Sequence, residues 1–336
     1  MGSLASARRS SGGLRPDRRR FLAGLGAGAA LLVAPTGRGL EAASALPVYQ
    51  DIWDADQAER GVPALRPRQP ADPARGYVRV AEVASDGAAH RLFEEVRIPE
   101  AKRLTYDLVK RLFDNYRLDQ TKPEDDTPEE AREILGLLDG VTDSAPLGIA
   151  KAHLEREQGL RYSRDAWQEL IFDLWFRPFD DGRNLDLSGF EHVMVGEQRQ
   201  GTVNGYHFWY KYYLDDWGLL GRPDAIDFEG LRYDGPNRPD GRLAALGTQV
   251  PEIVTLAWRW HAYDAASSGT RPLYKPVGSF FVGCSIEGLM ALGTVRFFER
   301  TSGEAVINGA RLRIELSRSP DGRSLRTCFP RFLGLA

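Results

Sequence analysis

The chain of 336 residues carries 44 basic and 47 acidic side chains, a formal net charge of −3, and two cysteines. This charge excludes the broad positive surface of proteins that bind nucleic acid through bulk electrostatics, so any phosphate-binding surface must be local and built from a few Lys, Arg or backbone N–H groups. Two cysteines exclude a disulfide framework, although Cys284 and Cys328 leave open a single bridge after export.

The first 45 residues predict an export signal. The sequence RRRFL at residues 18–22 leads into the weakly apolar run FLAGLGAGAALLVA, which has about half the length of a bilayer span and therefore argues against a membrane anchor. This basic and apolar pattern, followed by the small-residue site Ala43-Ser44-Ala45, indicates a cleavable signal peptide, the alternative being an unprocessed basic tail. The paired arginines before Phe-Leu resemble the twin-arginine export signal of bacteria, which a receptor reads. We therefore expect the twin-arginine export machinery as a partner and a periplasmic or secreted protein without a stable membrane anchor.

Cleavage after Ala45 would leave a mature chain of about 290 residues that folds before it crosses the membrane, long enough for two lobes or one large core. It removes seven arginines and two acidic residues, so 37 basic and 45 acidic residues remain and the formal charge becomes −8. The mature protein is thus predicted to be acidic.

Residues 46–179 carry the pattern of helices. The segment Pro99 to Leu118 predicts an amphipathic helix with a buried stripe at helical spacing. That stripe consists of Leu104, Leu108 and Leu112, with Val109 and Phe113 beside it. Thr127-Pro128-Glu129-Glu130 has the cap, first-turn proline and acidic residues of a second helix start, and a third helix is predicted from Ser163. Its core side carries Trp167, Leu170, Ile171, Leu174 and Trp175. We interpret the acidic stretch 119–126 as a solvated loop rather than a metal site.

Residues 180–336 are rich in strand patterns. Ile253 to Trp260 and Val277 to Cys284 read as strands, and Ser285 is expected to cap a helix that runs through Phe297. Asn308-Gly309 is a strong hairpin signal, and Pro320-Asp321-Gly322 marks the next turn. Helices first and antiparallel strands second predict an α+β fold rather than a doubly wound sheet. The sequence has no phosphate-cradling glycine loop, Cys-x-x-Cys pair or Gly-x-Ser-x-Gly elbow.

Two of the five histidines, His192 and His207, lie close together in a segment rich in Gly and aromatic residues. His192 falls in a strand-like run, Glu191 to Val195, and His207 opens an amphipathic stretch that should be helical. Gly205 between them lets the backbone approach closely whatever His207 addresses. Two imidazoles at one cleft could move a proton on and another off near neutral pH. The alternative, that both are packing residues, stays open on composition alone.

Several blocks in this region, in this order, resemble the EndoU endoribonucleases, the family of the eukaryotic XendoU-type enzymes and, more distantly, the coronaviral uridylate-specific endoribonuclease. SGFEHVMVGE at 188–197 and VNGYHFWYKYYLDD at 203–216 are similar to the family's two histidine motifs. DFEG at 227–230 and KPVGSFFVGCSIEGLMAL at 275–292 are similar to the blocks that follow. Upstream, IWDADQAER, LFDNY and PLGIAKAHL also match, so the resemblance covers nearly the whole mature chain.

By position, the family's catalytic histidines fall on His192 and His207, and its catalytic lysine falls on Lys275. The hydroxyl residue that contacts uridine falls on Ser279, four positions later. The family's tyrosine before a proline falls on Phe329, which keeps a ring face for base stacking but lacks the hydroxyl, so its orienting hydrogen bond and part of the uridine preference are in doubt. Phe208 and Cys284 are further departures that remove no catalytic group.

The resemblance implies cleavage of single-stranded RNA, preferentially at uridine, through attack by the substrate's own 2′-hydroxyl. His207 would be the base, His192 the acid, and Lys275 the cation facing the phosphorane, with 2′,3′-cyclic phosphate and 5′-hydroxyl products. Backbone N–H groups around Gly205 are expected to help hold a phosphate oxygen. Glu191 and Glu197 could orient His192 or attract a divalent ion, but we interpret them as solvated surface residues.

The resemblance also implies Mn²⁺ as an activator, although no His/Asp/Glu cluster in the sequence has ligand spacing. An exported, folded nuclease would need restraint before export, such as low affinity, a metal requirement or an inhibitor protein. Two other functions remain open: a catalytically inert RNA-binding or immunity-type module of the same fold, and a two-histidine metallohydrolase.

Overall fold

The computed structural model describes residues 47–81, 91–124, 127–231, 250–264 and 268–336. The predicted signal peptide over residues 1–45, with its cleavage site, lies outside the described residues. In the described part of the chain, no helix is both long and apolar enough to cross a bilayer.

Seven α-helices and eleven strands form the described structure. The helices are α1 (Val48–Glu59), α2 (Arg103–Arg111), α3 (Pro128–Val141), α4 (Ala145–Gln158), α5 (Arg164–Trp175), α6 (Trp209–Asp216) and α7 (Ile286–Phe298). The strands are β1 (Ala64–Leu65), β2 (Tyr77–Val80), β3 (Phe93–Arg97), β4 (Glu197–Arg199), β5 (Thr202–Asn204), β6 (Ala225–Leu231), β7 (Ile253–Asp264), β8 (Gly269–Phe281), β9 (Glu304–Ile307), β10 (Ala310–Arg318) and β11 (Leu325–Leu335). The predicted α+β class is confirmed.

Side-chain caps explain where three helices begin. The Thr127 hydroxyl accepts from the Glu130 N–H at 3.2 Å, while the Glu130 carboxylate accepts from the Thr127 N–H at 2.9 Å, so α3 starts with a capping box. Ser163 and Ser285 cap α5 and α7 by accepting from backbone N–H groups three residues ahead. These three starts are confirmed as the sequence predicted them.

The strands form three sheets. The largest has the order β4-β5-β8-β7-β6, and long antiparallel pairing of β7 with β8 forms its centre. The second, β11-β10-β9, is antiparallel and contains the predicted Asn308-Gly309 hairpin. A small third sheet, β1-β2-β3, lies in the part of the chain that was predicted to be helical. It was not predicted because its strands have two to five residues, too few to show an alternating pattern.

One contiguous hydrophobic core joins the helices to the sheets. Helix α7 is buried nearly all round and lies between α1 and α4 on one side and β10 on the other. The edge strand β11 contacts both β8 and β7, which brings the two larger sheets together. Their meeting places β8 and β11 on opposite sides of one cleft.

Three sequence predictions are corrected in detail. The predicted helix over Pro99 to Leu118 ends at Arg111 and leaves Leu104 57% exposed, because Thr105, Tyr106 and Val109 form its buried face. The run Glu191–Val195 is a π-helical turn, not a strand. The strand predicted over Val277 to Cys284 is part of β8, which ends at Phe281. Cys284 and Cys328 are both buried free thiols, so the bridge left open by the sequence is not formed.

Candidate active site

His192 lies on the turn Glu191–Val195, which closes when the N–H of Gly196 donates to the Glu191 carbonyl at 2.9 Å. Its Nδ1 atom lies 3.3 Å from Oε1 of Glu197, outside hydrogen-bond alignment but at ion-pair distance. The Arg326 guanidinium, on β11, donates two hydrogen bonds to the same carboxylate, at 2.7 and 3.0 Å. Glu197 therefore joins the first histidine to the strand on the far side of the cleft.

Burial and neighbouring charges shift the pKa values of His192 and Glu197 in opposite directions. Burial lowers the pKa of His192 below its ordinary value, and the Glu197 carboxylate opposes that shift. Burial alone would raise the pKa of Glu197, but His192 and Arg326 together lower it to about 2. The carboxylate is thus ionised at neutral pH and favours the protonated form of His192.

The segment Gly205-Tyr206-His207 connects β5 to α6 and packs tightly against the turn that carries His192. Gly205 has φ +63°, and a Cβ there would lie 1.8 Å from the His192 carbonyl oxygen, so only glycine fits. The N–H of Tyr206 donates to the His192 carbonyl and the N–H of His207 to the Val193 carbonyl, both at 2.7 Å. These two amides are therefore not available for phosphate, so of the N–H groups expected to hold a phosphate oxygen the amides of Tyr206 and His207 are excluded.

Tyr206 adopts the left-handed backbone conformation, with φ +64°. For a bulky side chain this region is an outlier that costs about 1–3 kcal/mol and persists only where the surroundings impose it. The residue is fully buried and lies directly between Gly205 and His207. Strain is therefore stored at the point that sets the direction of the second histidine.

His207 is only 6% exposed and is held in one tautomer by its surroundings. Its Nδ1 lies 3.2 Å from the Ser279 carbonyl oxygen, and because a carbonyl only accepts, Nδ1 carries the proton and Nε2 of the neutral ring has a free lone pair. Burial lowers the pKa of His207 well below its ordinary value, and the neighbouring Lys275 and His192 lower it further. The Phe329 ring stacks on the imidazole, with centroids 4.4 Å apart and an interplanar angle of 16°.

Lys275 and Ser279 lie on β8 and face the same cleft. The Lys275 ammonium donates to the carbonyls of Gly205 at 2.8 Å and Val203 at 3.3 Å, and burial lowers its pKa to about 8. The Ser279 hydroxyl donates to the Pro330 carbonyl at 2.5 Å, so its proton is committed and its lone pairs remain as acceptors. Both side chains are held by backbone carbonyls and are therefore pre-positioned.

A cavity of about 330 Å³ brings all of the sequence-predicted site residues together. Its lining includes His192, Gly205, His207, Lys275, Ser279 and Phe329. The two imidazole centroids are 6.2 Å apart, a separation that leaves room for one phosphodiester between the rings. Asn204, Thr255, Thr327 and Arg331, which the sequence did not single out, also line this cavity.

The interpretation of Glu191 and Glu197 as solvated surface residues is wrong. Both are buried, and Glu197 is fully inaccessible beneath His192. Arg326, which makes burial of Glu197 tolerable by supplying a counter-charge, was also missed because it lies 129 residues further along the chain. The only sequence signal for this pair was Glu197 itself, five residues after His192. A glutamate at that spacing is not specific unless one knows that Arg326 on β11 lies beside it.

Comparison with known proteins places this site in a family. The family described as endoribonuclease XendoU matches residues 47–330. The chain belongs to the XendoU family. It is 29% identical over 293 residues to the poly(U)-specific endoribonuclease-A of Xenopus laevis, covering 84% of this chain and 91% of that protein. It is 31% identical over 254 residues to the uridylate-specific endoribonuclease B of Danio rerio, covering 74% and 82% of the two chains.

The XendoU fold is confirmed by a solved structure. A solved structure of XendoU, a splicing-independent snoRNA-processing endoribonuclease, superposes with a TM-score of 0.61 at 26% sequence identity. The match covers 86% of this chain and 96% of that one. This XendoU-family member is an endoribonuclease, and its cavity is the candidate active site.

Proposed function

We propose that the protein cleaves single-stranded RNA, preferentially at uridine, by transphosphorylation from the 2′-hydroxyl to give 2′,3′-cyclic phosphate and 5′-hydroxyl ends. The observation that carries this proposal is the presence of His192, His207 and Lys275 on one cavity. Two imidazoles and one ammonium are the groups this reaction needs, because a proton leaves the nucleophile, another reaches the leaving oxygen, and charge builds on the phosphorane.

The two histidines differ in a way that supports opposite roles. His207 has a depressed pKa and an unprotonated Nε2, so it is suited to take the proton of the 2′-hydroxyl. His192 has the ionised Glu197 carboxylate at Nδ1, which favours its imidazolium form and suits it to protonate the departing 5′-oxygen. Each proton transfer by a positioned side chain contributes about 10²–10⁴-fold in rate.

Lys275 is the electrostatic partner in this scheme. Its pKa of about 8 keeps most of the population protonated at pH 7. The carbonyls of Gly205 and Val203 fix the ammonium beside the cavity, so no reorganisation is needed when negative charge develops on the phosphorane.

Ser279 and Phe329 support the uridine preference. Because the Ser279 proton is committed to Pro330, its oxygen can only accept a hydrogen bond from a base. Uracil presents an N3–H donor at the position where cytosine presents an acceptor, so an accepting hydroxyl favours uracil. Phe329 offers an apolar ring beside His207 against which a base can stack.

The residues around the cavity do not fit a bound Mn²⁺ ion. Among the described residues, no group of three or more His, Cys, Asp or Glu side chains is placed to hold a metal. The carboxylate beside His192, that of Glu197, is paired with Arg326, and burial raises the pKa of Glu191 well above its ordinary value, which favours its neutral form. We assign no step to Mn²⁺. Activation by Mn²⁺ remains part of the proposal and is to be measured.

Two RNA substrates test the reaction. The purified protein is incubated, with and without Mn²⁺, with an end-labelled oligonucleotide that contains one uridine among adenosines, and with the same oligonucleotide carrying 2′-deoxyuridine. Cyclic-phosphate products from the first and none from the second support the proposal. Cleavage at the 2′-deoxy position would favour a metallohydrolase, and absence of cleavage under all conditions would favour an inert RNA-binding module.

We further propose export through the twin-arginine machinery to the periplasm or the medium, with restraint inside the cell by low affinity, a metal requirement or an inhibitor protein. The support is the sequence of residues 18–45, which lie outside the described structure. Substituting Lys for Arg18, Arg19 and Arg20 should retain the protein in the cytoplasm, as fractionation would report. Expression of residues 46–336 in the cytoplasm without RNA decay or a growth defect would count against the need for restraint.

A further inference from the structure

A buried polar cluster lies directly behind the segment that carries His207. Its members are Tyr206, Lys211 and Asp215, all fully inaccessible to solvent. The Tyr206 hydroxyl and the Lys211 ammonium both donate to Oδ2 of Asp215. Lys211 and Asp215 lie one turn apart on α6, the helix that begins two residues after His207. The cluster therefore connects the strained residue beside His207 to a rigid element.

Aromatic rings enclose this cluster and exclude water. The Tyr206 ring packs on Trp258 and Trp260, with centroids 5.5 and 4.9 Å apart. The Lys211 ammonium lies 5.0 Å from the centroid of the Tyr206 ring and 4.7 Å from that of Trp260. Gly196 also lies against the Tyr206 side chain, where a Cβ would come within 2.5 Å of the ring. The ring has no room to move while its hydroxyl is held.

Stability alone does not account for an ion pair in this position. Taking two charges out of water is costly, and replacing a buried ion pair by apolar residues of similar volume is often neutral or stabilising. Oδ1 of Asp215 has no hydrogen-bond partner among the described residues, so the pair is not fully compensated. What the cluster does provide is a fixed attachment for Tyr206, whose N–H holds the His192 carbonyl at 2.7 Å while its carbonyl leads into His207.

We propose that Tyr206, Lys211 and Asp215 are positioning residues that fix His192 and His207 in reactive alignment, an inference that rests on the proposed function. The Lys211–Asp215 pair holds the Tyr206 hydroxyl, which keeps residue 206 in its left-handed conformation and sets the direction of the next residue. Without that hydrogen bond, the backbone at residue 206 relaxes and the two imidazoles lose their common alignment on the phosphodiester.

Tyr206→Phe tests this directly because it removes one hydroxyl and keeps the ring. We expect kcat for the single-uridine RNA to fall about tenfold to a hundredfold, as for a small misplacement of a catalytic group, while KM stays within twofold. The matched control is Tyr212→Phe. Tyr212 lies on α6 with Lys211 and Asp215, is fully buried and, like Tyr206, contacts Trp258. Its hydroxyl, however, has no hydrogen-bond partner in the described part of the chain. The control should retain wild-type kcat.

A triple variant separates positioning from stability. Tyr206→Phe with Lys211→Met and Asp215→Val removes every polar group of the cluster and leaves none of them unpaired. Its melting temperature should equal or exceed that of the wild type, while kcat stays reduced. Wild-type kcat in the triple variant, or an activity loss in either variant that matches its loss of folded protein, would overturn the proposal.

The ring resonances of His192 and His207 give a readout that does not depend on cleavage. In Tyr206→Phe their NMR titration curves should shift relative to the wild type, and in Tyr212→Phe they should not. Unchanged resonances in Tyr206→Phe would overturn the positioning role. If the wild type does not cleave RNA, the proposed function fails, and this resonance comparison alone still decides the positioning role.

Discussion

Replacing Glu197 by Gln should separate the acid role of His192 from the stability of the site. The carboxylate raises the pKa of His192 against the effect of burial, so its removal lowers that pKa and leaves less imidazolium at neutral pH. We expect kcat/KM at pH 7 to fall at least about tenfold, with the 10²–10⁴-fold contribution of a general acid as the upper bound. Because an acid must be protonated to act, the falling limb of the pH profile should move to lower pH.

The same substitution leaves the Arg326 guanidinium buried without its counter-charge. Breaking a buried pair costs about 3–5 kcal/mol, and the 17% exposure of Arg326 places this site near 3 kcal/mol. That corresponds to a melting temperature lower by about 6–12 °C. The depressed pKa of Glu197 means that its ionised form stabilises the fold above its ordinary pKa of 4.5. The stability difference should therefore be full at pH 7 and shrink as the pH falls from 4.5 to about 2.

The double variant Glu197→Gln with Arg326→Met is the matched control. It removes the unpaired cation, so the melting temperature should recover most of its loss. Arg326 itself lowers the pKa of His192, but less than Glu197 raises it. The falling limb should therefore lie lowest in the single variant, intermediate in the double variant and highest in the wild type. A single variant with the wild-type profile and rate would refute the role given to Glu197.

Three further changes test other parts of the site. Gly205→Ala should lower both the melting temperature and the activity, because its Cβ would meet the His192 carbonyl oxygen at 1.8 Å. The matched control is Gly201→Ala, which is also at positive φ but has open space around it; it should cost only about 1–2 kcal/mol of unfolding free energy and keep activity. Ser279→Ala should reduce the preference for uridine over cytidine in paired-substrate kinetics by about tenfold, the worth of one hydrogen bond, and an unchanged ratio would remove Ser279 from base recognition. For the wild type, kcat/KM should already decline as the pH rises through 7, because burial lowers the pKa of the acid, His192, below 6.5. The pKa of the base, His207, is lowered well below its ordinary value, which places the rising limb at lower pH, so an optimum above pH 8 would contradict the assignment.

The residues that carry chemistry could be predicted because they lie in short motifs that contain several of them. His192, Gly205 and His207 fall within 16 residues of one another, and Lys275 and Ser279 within five. The groups that tune them were not predicted, because their partners come from other strands. Arg326 reaches Glu197 only when β11 lies against the turn Glu191–Val195, and no local pattern records that approach.

The same distinction applies to the fold. Helix starts at Thr127, Ser163 and Ser285 were predicted because the capping residue and the N–H it accepts from are three residues apart. Leu104 was placed on the buried face by spacing alone, but the helix presents Tyr106 and Val109 to the core instead. The face of an amphipathic helix that becomes buried depends on which elements pack against it, and the periodicity of the sequence does not reveal those elements.

The opposite roles of the two histidines follow from what each Nδ1 faces. Nδ1 of His207 faces the neutral Ser279 carbonyl, which alone favours the protonated ring. Burial and the charges of Lys275 and His192 all favour the neutral ring. His192 faces a carboxylate that is kept ionised by His192 itself and by Arg326 from across the cleft. Two identical side chains in one cavity thus acquire separate pKa values, which is the condition for one to act as base and the other as acid. The acid assignment therefore depends on β11 as well as on the histidine motif, because Arg326 acts together with His192 to keep the buried Glu197 ionised.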